Sequence, residues 1–306
     1  MTRRLRHEAA DRLKTVTPLR WRRKVSRLRL AGRTRSGRFR TLPDALIIGA
    51  QRCGTSSLYK YLGRHPNVAP SLRKETEYFT IEHHRGEAWY RAHFPLRWWR
   101  RLAELRGRPW LTFEATPDYL FDPRAPQRVR ELLPQVKLIV VLRDPVARAV
   151  SQYHHNARLG QDKLPLAEAL AAEEERLAGA DREIIDHPDS RALELRRYSY
   201  VARGRYAEQL ERWRRLFPPE QIMVVRSADL FDATGDTFGR ILEFLGLPRW
   251  EPAGFRNHSY TDPSQGGYPE PSPEVTEFLG ERLAASNQTL VELLGDEFRW
   301  DNAVRS

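Results

Sequence analysis

The residues best suited to chemistry stand in a loop that joins a short apolar run to a helical pattern. Gly49 and Gly54 are five positions apart, as in a Walker phosphate loop, and three hydroxyl residues, 55–57, follow at once. Backbone N–H groups of such a loop bind phosphate oxygens. Thr55 replaces the Walker lysine, and a cation stands inside the loop instead, at Arg52. The pattern predicts an anion site that does not serve a nucleoside triphosphate with magnesium; a tight strand–helix turn is the alternative.

A second candidate group follows the apolar run 137–142. Arg143 stands at the predicted strand end, Asp144 is suited to cap the next helix, and Pro145 suits the first helical position. Ser151 lies two turns into that helix, so Arg143 and Ser151 are candidates for binding one further phosphate. The competing interpretation of Arg143 is an ion pair with Asp144.

Together, these two groups resemble the sulfotransferases that use 3′-phosphoadenylyl sulfate (PAPS), in the carbohydrate and bacterial branch that includes the heparan sulfate enzymes. The resemblance extends over residues 44–300, with supporting segments at 74–79, 114–119, 204–206 and 287–300. It implies an enzyme that moves a sulfuryl group from PAPS to a hydroxyl, or to an amine, of a carbohydrate or other small-molecule acceptor. The product is then adenosine 3′,5′-bisphosphate (PAP), and no metal is required.

The same resemblance implies a donor site. The loop after the first strand holds the 5′-phosphosulfate, and the Arg and Ser eight positions apart hold the 3′-phosphate. The family's late Ser-Lys-Gly-Arg loop is Ser-Gln-Gly-Gly here, at 264–267, and Tyr268 is expected to cover the adenosine. The residues implied in donor binding are Arg52, Cys53, Gly54, Thr55, Ser56, Ser57, Arg143, Ser151, Tyr206, Gly266, Gly267 and Tyr268.

Sulfuryl transfer is an in-line displacement, so the acceptor loses a proton as it attacks, and charge neutralisation supplies much of the rate by analogy with phosphoryl transfer. The resemblance gives the role of neutralising charge to Arg52. Glu75 matches the catalytic glutamate of the heparan enzymes, and His155 matches an active-site histidine of their N-sulfating branch. The predicted catalytic residues are Arg52, Glu75 and His155, with the last two as alternative bases. The competing interpretation of Glu75 is a surface ion pair with Arg73 or Lys74.

The acceptor side is less defined by sequence. Aromatic residues expected near the cleft are Trp89, Tyr90, Trp98 and Tyr119. Glu114 is a weaker candidate for orienting the acceptor. Some heparan enzymes have a lysine directly after this glutamate, where Ala115 stands here, and their disulfide cannot form because Cys53 is the only cysteine. Sugars, glycolipids, glycopeptides and phenols all stay open as acceptors.

Four short apolar runs, 45–49, 110–114, 137–142 and 221–226, predict buried parallel strands. The predicted helices are 55–63, 124–133, 145–158, 166–178, 205–217, 235–245 and 273–294. This alternation predicts an α/β fold, a P-loop-like doubly wound parallel sheet with helices on both faces. Ligands of such sheets bind outside the carboxyl ends of the strands, where both phosphate-binding groups fall. The Pro/Gly-rich stretch 251–272 is predicted to be a loop.

Charge divides the chain of 306 residues into two parts. Residues 1–40 carry 15 Lys/Arg against two acidic residues, whereas residues 41–306 carry 37 against 38. We therefore predict a flexible basic arm, 1–40, before one domain, 41–306. The arm shows no secretory signal and its cationic composition suits weak contact with a membrane surface. With a single cysteine and no long apolar run, the predicted location is the cytoplasm.

Two other classes of protein were weighed. A P-loop-type nucleotide kinase requires the Walker lysine and a magnesium-binding carboxylate, and the sequence lacks the first and offers only Glu114 for the second. A non-enzymatic nucleic-acid binder would use the basic arm, but the body of the chain is nearly neutral. The sequence therefore predicts no specific nucleic-acid partner.

Overall fold

Five parallel strands form one sheet in the order β2-β3-β1-β4-β5 in the computed structural model, which describes residues 28–257 and 268–300. The strands are β1 (Ala45–Gly49), β2 (Val68–Pro70), β3 (Leu111–Ala115), β4 (Lys137–Leu142) and β5 (Ile222–Arg226). β1 and β4 have their predicted bounds, β3 is shifted by one residue at both ends, and β5 begins one residue later than predicted. The sequence did not predict β2, because a three-residue edge strand ending in proline shows no period.

The strands alternate with α-helices and short 3₁₀ turns. The α-helices are α1 (Thr55–Leu62), α2 (Gly86–Arg91), α3 (Arg97–Leu105), α4 (Ala125–Leu132), α5 (Pro145–Arg158), α6 (Leu166–Ala171), α7 (Glu173–Leu177), α8 (Ala180–Asp186), α9 (Leu193–Tyr198), α10 (Tyr206–Arg214), α11 (Ser227–Asp232), α12 (Thr234–Leu245) and α13 (Pro273–Leu294). The 3₁₀ turns are Gly37–Phe39, His83–Arg85, Pro117–Tyr119, Ala202–Gly204, Pro219–Gln221 and Asp296–Phe298. The predicted doubly wound sheet with helices on both faces is confirmed.

The helix predicted over 166–178 is wrong in one respect, since it is two helices, α6 and α7. Glu173 begins α7 and is buried. Its carboxylate accepts the N–H groups of Val201 at 2.6 Å and Ala202 at 2.8 Å. This contact across the fold holds the start of α7 against the segment after α9 and accompanies the break, which no Gly or Pro marks in the sequence.

The strand order places the candidate site. From β1 the chain crosses to β2 and β3 on one side, and it then returns to β4 and β5 on the other. The direction therefore reverses between β1 and β4, the neighbouring strands that end at Gly49 and Leu142. A crevice forms at the carboxyl ends of strands where the order reverses, and ligands bind there. The loops after β1 and β4 flank this crevice.

Part of the predicted basic arm is described and contacts the body. Residues 28–34 are helical. Arg33 donates to Ala92 O at 2.6 Å and to Phe94 O at 2.5 Å, and Arg40 donates to Phe94 O at 2.9 Å. Residues 1–27 lie outside the described part of the chain. No helix of the described residues is long and apolar enough to cross a membrane.

Candidate active site

Close packing fixes both glycines of the loop after β1. A Cβ at Gly49 would meet Leu120 Cβ at 2.5 Å, and one at Gly54 would meet the Phe231 ring at 3.0 Å. Gly54 also has φ 100° and Arg52 has φ 69°, both in the left-handed region. The turn leads directly into α1, whose first N–H groups have no intrahelical acceptor and are suited to bind an anion.

The side chains of the loop are of two kinds, the hydroxyl groups at the start of α1 and the buried thiol of Cys53. Thr55 and Ser57 are buried, and Ser56 is half-buried. Cys53 is fully buried, its thiol lies 3.7 Å from Tyr206 Oη, and burial raises the pKa of that thiol. Its N–H donates to Ala50 O at 3.3 Å. Cys53 therefore contributes to the packing of the loop, while the hydroxyl run follows at the start of α1.

Arg52 and Arg143 bring positive charge to the loop after β1, and neither forms an ion pair with a carboxylate among the described residues. Arg52 Nε donates to Ser151 Oγ at 3.1 Å, which joins the loop to α5. Burial lowers the pKa of Arg52 most, and the charges of Arg158 and Arg143 lower it further. Within residues 28–257 and 268–300, no carboxylate lies within ion-pair distance of Arg52 or Arg143. Two half-buried guanidinium groups, Arg52 and Arg143, that have no ion-pair partner among the described residues fit a ligand that carries negative charge.

Arg143 stands at the end of β4, as predicted. The ion pair between Arg143 and Asp144 does not form, because Asp144 Oδ1 accepts the Ala147 N–H at 2.7 Å and caps α5. Tyr206 is fully buried and its hydroxyl donates to Arg143 O at 3.0 Å. Tyr206 therefore positions the backbone that carries Arg143.

A cavity of about 490 Å³ opens beside this cluster. Its lining includes four arginines, Arg52, Arg143, Arg226 and Arg299, three carboxylates, Asp144, Asp232 and Glu297, and also Gly54, Ala147, Ser227, Phe231, Asn257 and Trp300. Arg226 and Ser227 were missed in sequence, although Arg226 ends β5 and Ser227 follows it as Arg143 follows β4. The cavity is of the size that holds a nucleotide. We call it the donor cavity.

The late loop is described only in part. Gly266 and Gly267, predicted to bind the donor, lie outside the described residues. Tyr268 is described, and its ring stacks on His154 with centroids 4.6 Å apart and planes at 11°. The Tyr268 hydroxyl is buried and has no hydrogen-bond partner among the described residues. It lies close enough to Arg52 to act on the pKa of that guanidinium.

A second cavity, of about 400 Å³, lies on the other side of the loop. Its lining includes Gln51, Glu75, Glu77, Thr116, Asp118, His155, Asn156, Arg191, Arg196 and Arg197. It shares no described lining residue with the donor cavity, and the adjacent residues Gln51 and Arg52 stand one in each. Both predicted bases, Glu75 and His155, therefore come together here. We call this space the acceptor cavity.

Glu75 combines the two interpretations that the sequence allowed. Its carboxylate forms an ion pair with Lys74, and Arg73 donates to its carbonyl at 2.8 and 3.0 Å. It also lines the acceptor cavity. Glu75 and Glu77 have φ of 62° and 58°, a region that strains non-glycine residues. The turn that presents Glu75 is therefore held by its surroundings.

Those surroundings are a buried hydroxyl cluster around Glu114. Thr76 Oγ1 donates to Glu114 Oε2, and the hydroxyls of Tyr90 and Tyr119 each donate to Oε1 at 2.9 Å. Burial raises the pKa of Glu114, and these hydrogen bonds oppose that rise. Glu114 is fully buried, so the prediction that it orients the acceptor directly is wrong. It instead anchors the turn that carries Glu75.

His155 faces the acceptor cavity while His154 contacts Tyr268. Burial lowers the pKa of His155 most, and the nearby charges of Arg52 and Arg158 lower it further. Arg158 Nη2 lies 3.3 Å from His155 Nδ1. The imidazole is thus held neutral near pH 7, the form that accepts a proton.

The four aromatic residues expected near the acceptor cleft, Trp89, Tyr90, Trp98 and Tyr119, are not among the residues that line the acceptor cavity. Tyr90 and Tyr119 are buried in the core, and Trp98 lies on α3. Arg100 of this helix pairs with Asp44, the residue before β1, so α3 sits at the amino ends of the strands. The acceptor cavity opens at the carboxyl ends and is lined mainly by polar side chains. No group of three or more His, Cys, Asp or Glu in the described residues is arranged to hold a metal ion.

Comparison with known proteins places this geometry. A family model described as a sulfotransferase domain matches residues 42–270. Mouse heparan sulfate glucosamine 3-O-sulfotransferase 6 is 31% identical over 284 residues, which cover 86% of this chain and 75% of the relative. Human heparan sulfate glucosamine 3-O-sulfotransferase 3B1 is 32% identical over 279 residues, which cover 85% of this chain and 65% of the relative. A sulfotransferase structure from Alicyclobacillus acidocaldarius has a TM-score of 0.61 at 29% identity, covering 83% of this chain and 96% of that one.

The fold and the site thus define an α/β enzyme that binds a multiply phosphorylated nucleotide. The chain belongs to the sulfotransferase family. Its donor is PAPS and its product is PAP. The guanidinium groups of Arg52 and Arg143, which have no ion-pair partner among the described residues, fit that donor, and neither a nucleotide kinase nor a nucleic-acid binder is favoured.

Proposed function

We propose that this enzyme sulfates a hydroxyl group of a carbohydrate, with Glu75 as the base. A single observation carries the proposal: Glu75 and His155 line one cavity, Arg52 lines the other, and the adjacent residues Gln51 and Arg52 stand one in each. Donor and acceptor would therefore meet at this loop. The relatives named above act on glucosamine at an oxygen by their names, which supports a hydroxyl over an amine.

The residues of the acceptor cavity suit a polyhydroxyl ligand. Glu77 and Asp118 supply carboxylates, and Arg191, Arg196 and Arg197 supply guanidinium groups. Such a lining offers hydrogen-bond donors and acceptors on all sides, as a sugar requires. The lining also contains the apolar residues Ile81, Pro117, Leu159 and Leu193, so the acceptor assay below includes a phenol as the competing acceptor class.

The proposed roles follow from position. When bound, PAPS supplies the sulfuryl group for an in-line displacement. Arg52 neutralises charge that develops on the departing phosphate side. The Glu75 carboxylate accepts the proton of the acceptor hydroxyl, and Lys74 holds that carboxylate. His155, neutral and on the same cavity, is the alternative base and is proposed to hydrogen-bond the acceptor.

Nucleotide binding tests the donor site before any acceptor is known. We expect PAP to raise the melting temperature of the chain, whereas ADP and ATP with magnesium leave it unchanged. Stabilisation by ATP with magnesium instead of PAP would contradict the proposal. PAPS with radiolabelled sulfate is then offered to desulfated heparin, chitosan oligosaccharides and p-nitrophenol. We expect label on a carbohydrate; label on the phenol alone would refute the acceptor class.

The base assignment is tested by comparing Glu75→Gln with His155→Asn. General-base catalysis contributes about 10²–10⁴-fold, so Glu75→Gln should lower kcat by that factor and leave stabilisation by PAP unchanged. A larger loss in His155→Asn, with Glu75→Gln still active, would move the base to His155.

The cytoplasmic location and the division into 1–40 and 41–306 stay predictions. Limited proteolysis of the full chain tests the division. We expect early cleavage before residue 41 and a resistant body; a first cut within the body would contradict it. Fractionation of the source cells tests the location.

A further inference from the structure

Helix α3 is oriented against the usual pattern of a surface helix. Its sequence, Arg-Trp-Trp-Arg-Arg-Leu-Ala-Glu-Leu over Arg97–Leu105, contains no buried residue. Trp98, Trp99 and Leu105 are 52%, 46% and 79% exposed. These three residues form what we call the tryptophan face. Surface helices normally turn their apolar side chains to the core and their charged ones to water.

The side of α3 that faces the body combines arginine contacts with the half-buried Leu102 and Ala103. Arg100 Nη2 pairs with Asp44 Oδ2 at 2.5 Å, and Arg97 Nε donates to Arg40 O at 3.2 Å. At 100° per residue, Arg100 lies nearly opposite Trp98 and Leu105 on the helix. The arginine contacts therefore hold the helix so that the tryptophan face points outward. The Trp98 and Trp99 rings also stack on each other, with centroids 3.9 Å apart.

The surroundings of this face are strongly cationic. Residues 97–108 contain five arginines and one acidic residue, Glu104. The bridge between Arg40 and Leu96 brings Phe39 near the start of α3. Phe39 is 55% exposed, and the Arg38 guanidinium lies 4.6 Å from its ring centroid. Exposed aromatic rings thus stand among guanidinium groups.

We propose that the tryptophan face docks on an anionic lipid surface. Tryptophan is the side chain favoured at the boundary between headgroups and acyl chains, and amphipathic helices with aromatic and basic residues lie in that boundary. Anionic headgroups complement the arginines that flank the face. A protein surface without excess negative charge would not complement the arginines around the two stacked tryptophans, whereas an anionic lipid surface does.

The N-terminal part of the chain also supports docking on an anionic lipid surface. Residues 1–27 contain ten Lys/Arg against two acidic residues. Arg33 contacts Ala92 O and Phe94 O, so the described start of the chain lies close to the segment that leads into α3. Stable attachment to a bilayer generally takes two signals, such as one apolar insertion and one basic segment.

Vesicle sedimentation of the full-length chain tests the proposal. The probes are phosphatidylcholine vesicles with and without phosphatidylglycerol. We expect binding to the mixed vesicles, weakened about tenfold or more in Trp98→Ser/Trp99→Ser because half-exposed aromatic area no longer inserts. The matched control is Ile185→Ser, since Ile185 is 75% exposed on α8, and it should bind as the wild type. Arg101→Gln and Arg108→Gln should each weaken binding about fivefold, whereas Arg215→Gln should not.

Three results would overturn the proposal: no vesicle binding by the wild type, unchanged binding by the double tryptophan variant, or a dimer in solution that this variant dissociates. A full-length variant with Arg22, Arg23 and Lys24 changed to Gln separates the arm from the helix. If it alone loses binding, the arm and not the tryptophan face is the docking element. Stabilisation by PAP, measured on every variant, reports the donor site independently of vesicle binding.

Discussion

The turn that presents Glu75 provides the sharpest test of how this site is built. Thr76 Oγ1 donates to Glu114 Oε2, lies 3.1 Å from Tyr119 Oη and accepts the Tyr78 N–H at 3.4 Å. Glu75 N–H donates to Ala115 O at 2.9 Å. These contacts hold two non-glycine residues at positive φ, a conformation that costs about 1–3 kcal/mol for each residue. Thr76→Val removes the hydroxyl and keeps the shape.

Tyr90→Phe is the matched control. It also removes one buried hydroxyl donor from Glu114, but Tyr90 lies on α2 and keeps the ring that stacks on Tyr78 when only its hydroxyl is removed. Each variant leaves a buried acceptor short of one partner, which costs about 1–3 kcal/mol. In a domain of this size that loss lowers the melting temperature by about 2–12 °C. We expect similar losses of stability in both variants.

Activity should separate them. A displacement of about 1 Å at a catalytic group costs about 10²-fold in rate, so Thr76→Val should lower kcat by that order while Tyr90→Phe changes it little. The assay is sulfate transfer to the best carbohydrate acceptor, with stabilisation by PAP as the control for the donor site. Equal losses of kcat in the two variants, or none in Thr76→Val, would refute a positioning role for the Thr76–Glu114 bond.

Three further predictions address the donor site and stability. Arg143→Ala should weaken the binding of PAP, measured by calorimetry, by about 1.5–3 kcal/mol and leave the binding of adenosine 5′-monophosphate unchanged. Equal losses of binding free energy for the two nucleotides would contradict a contact between Arg143 and the 3′-phosphate. Burial acts to raise the pKa of Asp118, but the charges of Arg203 and Arg196 lower it by more, so the pKa lies below its ordinary value of 3.8. The resulting stabilisation is lost as pH falls, so melting curves between neutral and acid pH should be flatter for Asp118→Asn, and parallel curves would argue against it. Gly49→Ala brings a Cβ to 2.5 Å from Leu120 Cβ and should cost about 1–3 kcal/mol in thermal unfolding; Gly235→Ala, with nothing nearer than 3.7 Å, should not.

The sequence predicted the central strands and the loops that follow them because both carry local signals. β1 and β4 are continuous apolar runs, as buried parallel strands are. Arg52 and Arg143 follow these strands directly, and neighbouring parallel strands end at one edge of the sheet. Their meeting was therefore predictable from spacing alone.

Other features depend on contacts that no local pattern reports. The break between α6 and α7 involves Glu173 and backbone groups nearly thirty residues away. The arginines of α9 that line the acceptor cavity belong to no motif. Trp98 was expected at the acceptor site because aromatic residues line sugar clefts, but composition does not tell which end of a sheet a helix occupies. The pairing of Arg100 with Asp44 decides that question.

The loop after β1 has a consequence for kinetics. Gln51 lines the acceptor cavity and its neighbour Arg52 lines the donor cavity, and the two cavities have no common described lining residue. With PAPS in one and the proposed carbohydrate in the other, both ligands must be bound before transfer. We therefore expect intersecting double-reciprocal plots in initial-rate kinetics, and parallel plots would contradict this arrangement.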